Sequence, residues 1–186
     1  AQVKSNLADQ TGSVTTKSLR FSPNLSGTGW KAFGMPFTSA VINNSTEEEI
    51  LAPSQQSADN GIWFARLKDN KTPEFVVDET AFGMAGLWAA NGDTYTISSE
   101  GAFEFKTLEE PAAPTETGTF LMCSNPNTFT ITLKQSAYIL TADGTSFEQE
   151  ANPEIKPFQS FVLTDTKTLS TLRSLRIGDG VVTGTQ

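Results

Sequence analysis

Apolar and polar positions alternate most regularly between Phe129 and Leu163. Phe129, Ile131 and Leu133 alternate with Thr130, Thr132 and Lys134, a period of two that turns apolar side chains to one face of a strand and polar ones to the other. Tyr138-Ile139-Leu140 then runs into Asp143-Gly144, a pair that tolerates the positive backbone angles of a tight turn. Phe158 to Leu163 is a third strand. The pattern predicts a β-meander.

The same reading extends along the rest of the chain. Residues 1–18 are polar with little periodicity and predict an extended N-terminal segment. Leu19-Arg20-Phe21 opens the pattern, and Trp30 to Phe37 is aromatic and alternating, with Pro36 arguing for an edge position or a bulge. Asn43 to Asn60 is acidic, contains Glu47-Glu48-Glu49, and predicts a long loop with one helical turn over Thr46 to Leu51. Ile62 to Leu67 is apolar on both faces and predicts a central strand, followed by a turn at Asp69-Asn70-Lys71 and a short strand at Phe75-Val76-Val77. Phe82 to Ala90 contains two glycines and reads as strand or coil. Thr94 to Ile97 and Ala102 to Lys106 alternate cleanly and predict a hairpin. Glu109 to Gly118, with two prolines, predicts a surface linker. Thr119 to Cys123 and Ser174 to Ile177 complete the strands.

Composition narrows the fold further. The 13 Phe and 3 Trp concentrate a modest hydrophobic fraction of 37% in large side chains. The remainder, rich in Ser, Thr, Gly and Asn, suits strands and turns. The expectation is an all-β protein, an antiparallel β-sandwich of two packed sheets with about ten to twelve strands and a long acidic loop. Residues 19–180 would form one domain, with the 109–118 linker joining two sub-halves, between a polar segment 1–18 and a tail 181–186.

The formal net charge of −8 disfavours nonspecific attraction to nucleic acid or anionic lipid. No apolar run reaches the roughly 18–20 residues of a membrane span. Ala1-Gln2-Val3-Lys4 opens directly into polar sequence without the pattern of a signal peptide, so the expectation is a mature form or a chain whose export signal has been removed; the extracellular or cell-surface location expected for it is what the family resemblance below implies. The single Cys123 lies in Phe120-Leu121-Met122-Cys123, where a small buried apolar role outweighs a nucleophilic one.

Several segments resemble a known family. Gly29 to Phe37 (GWKAFGMPF) resembles the "G-W-x-T-x-x-L-P-F" opening of a β-rich module found in surface and secreted proteins of gut Bacteroidetes, often beside leucine-rich-repeat or other cell-surface domains. Leu87 to Ile97 (LWAANGDTYTI) is similar to its "l-x-A-N-t-P-Y-l-I" segment, Tyr138 to Phe147 (YILTADGTSF) to its "Y-x-L-x-x-D-G-x-x-F", and Ile155 to Leu163 (IKPFQSFVL) to its "i-x-P-F-R-A-Y-f". The matches follow the family's order over roughly Trp30 to Gly180. Gly92-Asp93-Thr94 adds a residue and loses the turn proline, and Gln159 stands where the family has Arg. The resemblance implies export and an all-β fold, with adhesion or glycan binding as the implied function and no catalytic set.

Histidine is absent, so Ser-His-Asp and Cys-His arrangements and His-based metal sites cannot be built within this chain. A carboxylate-based glycoside hydrolase remains the last alternative, with Asp78-Glu79 or Glu104 as its acids, but 21 acidic residues in 186 are accounted for by solvated faces and loops. Asp59-Asn60-Gly61, Asn91-Gly92-Asp93 and Asp179-Gly180 offer oxygen ligands without the spacing of a calcium loop and read as turns. No metal or cofactor is therefore expected. Trp30 and Trp63 belong to alternating strands and read as core, whereas Trp88, beside Gly86 and a turn, is the aromatic best placed to bind. The candidate site is Trp88 and Tyr95, with Asn91 and Asp93 at its rim. The function expected is a noncatalytic module binding glycan or a surface protein, the alternative being a structural spacer that pairs through edge strands.

Overall fold

The computed structural model describes residues 13–16, 20–21, 30–34, 40–43, 45–47, 62–77, 85–90, 96–99, 103–106, 110–125, 127 and 129–177. Among them are sixteen strands and one short helix, α1 (Thr166–Thr171). The N-terminal strands are β1 (Ser13–Thr16), β2 (Arg20–Phe21), β3 (Lys31–Gly34), β4 (Ala40–Asn43), β5 (Ile62–Leu67), β6 (Phe75–Val77), β7 (Ala85–Ala90), β8 (Thr96–Ser99) and β9 (Phe103–Lys106). The C-terminal ones are β10 (Phe120–Ser124), β11 (Ile131–Thr132), β12 (Ala137–Leu140), β13 (Ser146–Glu150), β14 (Glu154–Ile155), β15 (Ser160–Thr164) and β16 (Ser174–Arg176). All pairings are antiparallel, so the protein is all-β.

The C-terminal half is one long hairpin folded back on itself. Its nested pairs are β10 with β15, β11 with β14, and β12 with β13, running from Phe120 opposite Thr164 to Leu140 opposite Phe147. Folding brings β12 onto the other edge of β15, with Tyr138 opposite Val162. The five-stranded order is therefore β10-β15-β12-β13-β16, and the meander expected from the sequence is replaced by a strand inserted between its predecessors. Every residue of β15 is buried, and a strand apolar on both faces gains most from a central place. At the hairpin tip Gly144 takes φ +70° and its N–H donates to Thr141 O (2.9 Å), so the glycine of Asp143-Gly144 supplies the left-handed angle.

Strand alternation divides the core between the two faces of that sheet. Phe161 and Leu163 join Leu133, Ala137 and Ile155 in one cluster. Val162, Tyr138, Phe147 and Leu175 join Trp30, Ala65, Leu67, Phe75 and Leu87 in the other, which draws on the four-stranded sheet β3-β7-β5-β6. The rings of Phe75 and Phe147 stack across this junction, 5.2 Å apart at 11°. Trp30 is core as its alternation predicts, β5 lies between β7 and β6, and β3 is an edge strand.

Two local expectations differ from the structure. Strands β8 and β9 do not form a hairpin: β8 lies between β2 and β4, and β9 pairs with β1. Alternation marks both segments as strands but carries no information about partners. The 110–118 portion of the expected surface linker is strapped to the protein. Both Glu110 carboxylate oxygens accept from Lys134 N (2.9 and 3.0 Å), Gln135 Nε2 donates to Pro111 O (2.7 Å), and Ala113 packs on the second cluster. The prolines need no backbone donors because side chains supply the bonds.

Candidate functional site

A cleft of about 630 Å³ opens where β13 meets β16, lined by Ser136, Glu148, Gln149, Ala151, Arg173 and Ser174. Its wall is set from below. Asp165, at the end of β15, caps α1 by accepting from Thr168 N (2.9 Å) and Thr168 Oγ1 (2.6 Å). At the other end of the helix Leu172 N donates to Thr168 O (2.8 Å), and the buried Tyr138 hydroxyl donates to Leu172 O (2.7 Å). The chain thus enters β16 with Arg173 held beside β13: Gln149 N donates to Arg173 O (3.0 Å) and Arg173 Nη1 to Gln149 Oε1 (3.4 Å). Glu148 stands opposite Ser174 in register. The cleft is thus lined mostly by polar residues, and alternation along β13 turns Glu148, opposite Ile139, and Gln149, opposite Tyr138, to opposite faces of the sheet.

Burial and Asp165 together push the Tyr138 hydroxyl above its ordinary value, with Arg173 opposing them. The Thr168 hydroxyl, then the Thr168 and Gly118 amides, hold the Asp165 carboxyl well below the usual carboxylate range against the effect of its burial. This carboxylate is satisfied by its own donors and serves the helix cap. Burial pushes the Cys123 thiol up to about 11, which favours the neutral thiol over the nucleophilic thiolate. The expected apolar role of Cys123 fits its packing against the second core cluster.

The corner that folds the hairpin is organised by two residues. Asn125 is fully buried; its Nδ2 donates to Phe129 O (2.8 Å), Ile155 O (3.1 Å) and Lys156 O (3.2 Å), while Oδ1 accepts from Asn127 N and Nδ2, both at 3.0 Å. Lys156 to Gln159 form a turn closed by Gln159 N to Lys156 O (3.0 Å), with Pro157 second and Phe158 third at φ +61°. That third position of a type II turn normally takes glycine. Phe158 is held there by donating its N–H to Asn125 O (2.8 Å), accepting from Gly34 N (2.6 Å) and setting its ring 6.2 Å from that of Phe33. Gln159 accepts from Lys156 N through Oε1 (2.8 Å).

Of the residues singled out from the sequence, Trp88 lies in β7 in register with Lys31 and Phe64, next to the buried Leu87. Asn91, Asp93 and Tyr95 lie outside the described residues, as do Asp78-Glu79 and the three oxygen-rich turns considered for calcium. Glu104 pairs with Thr15. The acidic loop is described only at 45–47, where Asn43 Nδ2 donates to Glu47 O (3.1 Å). Among the described residues no group of three or more His, Cys, Asp or Glu side chains could hold a metal ion, and no helix is long and apolar enough to cross a membrane. Sequence reading missed the β13–β16 cleft and α1; Asp165-Thr166-Lys167-Thr168 carries a capping signal for the helix, but nothing local joins Glu148 to Ser174. In comparisons with family models, curated proteins and solved structures, no match to this chain was found.

Proposed function

We propose that this chain is a noncatalytic, exported, cell-surface module that binds glycan or protein, built as two larger sheets packed face to face. The cleft between β13 and β16 is the observation that carries the reading: it is open, lined mostly by polar residues, and lies beside the edge strand β16. The resemblance to the Bacteroidetes surface module points the same way and supplies the expectation of export. Trp88, next to the buried Leu87 in the sequence of β7, is kept as a second binding candidate.

The test is a glycan array with size-exclusion chromatography of the same sample. Specific binding by a monomer is the expected result; no glycan binding by a stable monomer moves the weight to a protein partner. Trp88→Ala separates the two candidate surfaces, since a stable variant with unchanged binding removes Trp88 from the site. A structural role through edge pairing is the second reading. It is favoured by Leu121, which is 41% exposed on the edge strand β10, and predicts self-association that Leu121→Lys abolishes.

A further inference from the structure

We propose that two copies of this chain pair through β16, antiparallel about a two-fold axis at Leu175, so that their five-stranded sheets run on as one. The inference rests on the edge-pairing reading above, moves it from β10 to the opposite edge of the sheet, and names the partner. Strand β16 ends the sheet order, and only one side of its backbone is in use. Gln149 N donates to Arg173 O (3.0 Å) and Ile177 N to Thr145 O (3.1 Å), with Phe147 opposite Leu175 between them. Bonded pairs alternate with unbonded ones in an antiparallel ladder, so the N–H and C=O of Ser174 and of Arg176 point away from β13. Both residues are exposed, and these outward groups have no partner among the described residues. On β10, by contrast, Phe120 N is already given to Asn70 O (2.8 Å).

A second copy fits this edge in backbone and in charge. With Leu175 at the axis, Ser174 of each copy lies opposite Arg176 of the other, and the outward groups of the two residues bond each other in both directions. Glu148 is opposite Ser174 and shares its face, so Arg176 of the second copy stands across the small Ser174 from Glu148, two strand spacings or about 10 Å away between backbones. A glutamate and an arginine side chain together span that gap. Glu148 and Arg176 are both exposed and make no side-chain hydrogen bond or ion pair among the described residues, and the two-fold axis forms their pair twice. A short, charged edge resists indiscriminate pairing, so the strand that fits must offer a cation across Ser174, as a second copy does. The net charge of −8 on each copy opposes association, but charges farther apart than about 8 Å are largely screened at physiological ionic strength. An edge this short makes a weak pair, so the chain is a monomer when dilute and pairs when concentrated, as on a surface.

The experiment is sedimentation equilibrium of the wild type from micromolar to millimolar concentration, beside Ser174→Pro, Arg176→Glu, Leu121→Lys and the double swap of Glu148→Arg with Arg176→Glu. Ser174→Pro removes an outward N–H that β13 does not use, so it blocks pairing without costing a ladder bond. Expected is wild-type dimerisation that Ser174→Pro and Arg176→Glu each weaken about tenfold or more with melting temperature unchanged, that Leu121→Lys leaves intact, and that the double swap recovers. A double swap as weak as Arg176→Glu alone overturns the pairing of Glu148 with Arg176. Association that Leu121→Lys abolishes and Ser174→Pro retains overturns this inference and leaves edge pairing in place at β10. No association at any concentration, or association that every variant retains, overturns the inference and the edge-pairing reading together.

Discussion

Asn125 shows how much of this fold turns on single side chains. Its carboxamide reaches three carbonyls and two donors at the corner where the hairpin doubles back, all inside the protein. Removing it leaves buried carbonyls unpaired, so Asn125→Ala should cost about 2–3 kcal/mol, read as a lower urea midpoint. Asn125→Asp should be as damaging because a carboxylate cannot donate; an unchanged midpoint in either variant would show that the corner does not depend on the amide. Phe158 presents a different balance. Its backbone occupies a left-handed angle that costs a residue with Cβ about 1–2 kcal/mol, while its ring meets Phe33. Both Phe158→Gly and Phe158→Ala lose the ring, but only glycine relieves the angle. Glycine should therefore be the more stable variant by about 1 kcal/mol, and alanine equal to or better than glycine would refute the strain.

Among the elements, α1 shows how a short piece can anchor a neighbouring strand. Six residues form little helix on their own, and the Asp165 cap with its Thr168 and Gly118 donors ties this turn to both β15 and the 110–118 strap. The folded Asp165 carboxyl titrates below the ordinary aspartate value of 3.8, and Asp69 and Asp143, held by backbone and hydroxyl donors in their own turns, are lowered as well. A depressed folded value means that the stabilisation is fully present above pH about 4 and is lost as pH falls through the lower folded values. Urea midpoints measured from pH 6 down to pH 2 should fall steepest below pH 4, and Asp165→Asn should flatten that fall. A variant that keeps the full acid sensitivity would place the effect in other carboxylates.

Across the whole molecule the five-stranded sheet is the organiser, since it carries core on both faces and shares one of those cores with the four-stranded sheet. Phe147 is fully buried at that junction, stacked on Phe75. Phe147→Ala should cost about 3–5 kcal/mol. Tryptophan fluorescence and far-ultraviolet circular dichroism should still report a single coincident transition, because Trp30 belongs to the same core. Separate transitions would show that the sheets unfold independently.

Much of this fold is legible in the sequence. Local alternation located β5, β6, β12 and β15, and Asp143-Gly144 marked the hairpin tip, because period and turn chemistry are properties of a few adjacent residues. Composition and charge likewise determined the all-β class and the absence of a histidine-based site. Partner choice lay beyond that reach. Tyr138 opposite Val162, β8 between β2 and β4, and Glu148 opposite Ser174 depend on which surfaces bury best together, a sum over residues far apart in the chain. The cleft came from that sum: Arg173 stands beside Gln149 only because a capped helix, a buried tyrosine and a folded hairpin bring them there, and no stretch of sequence holds those three together.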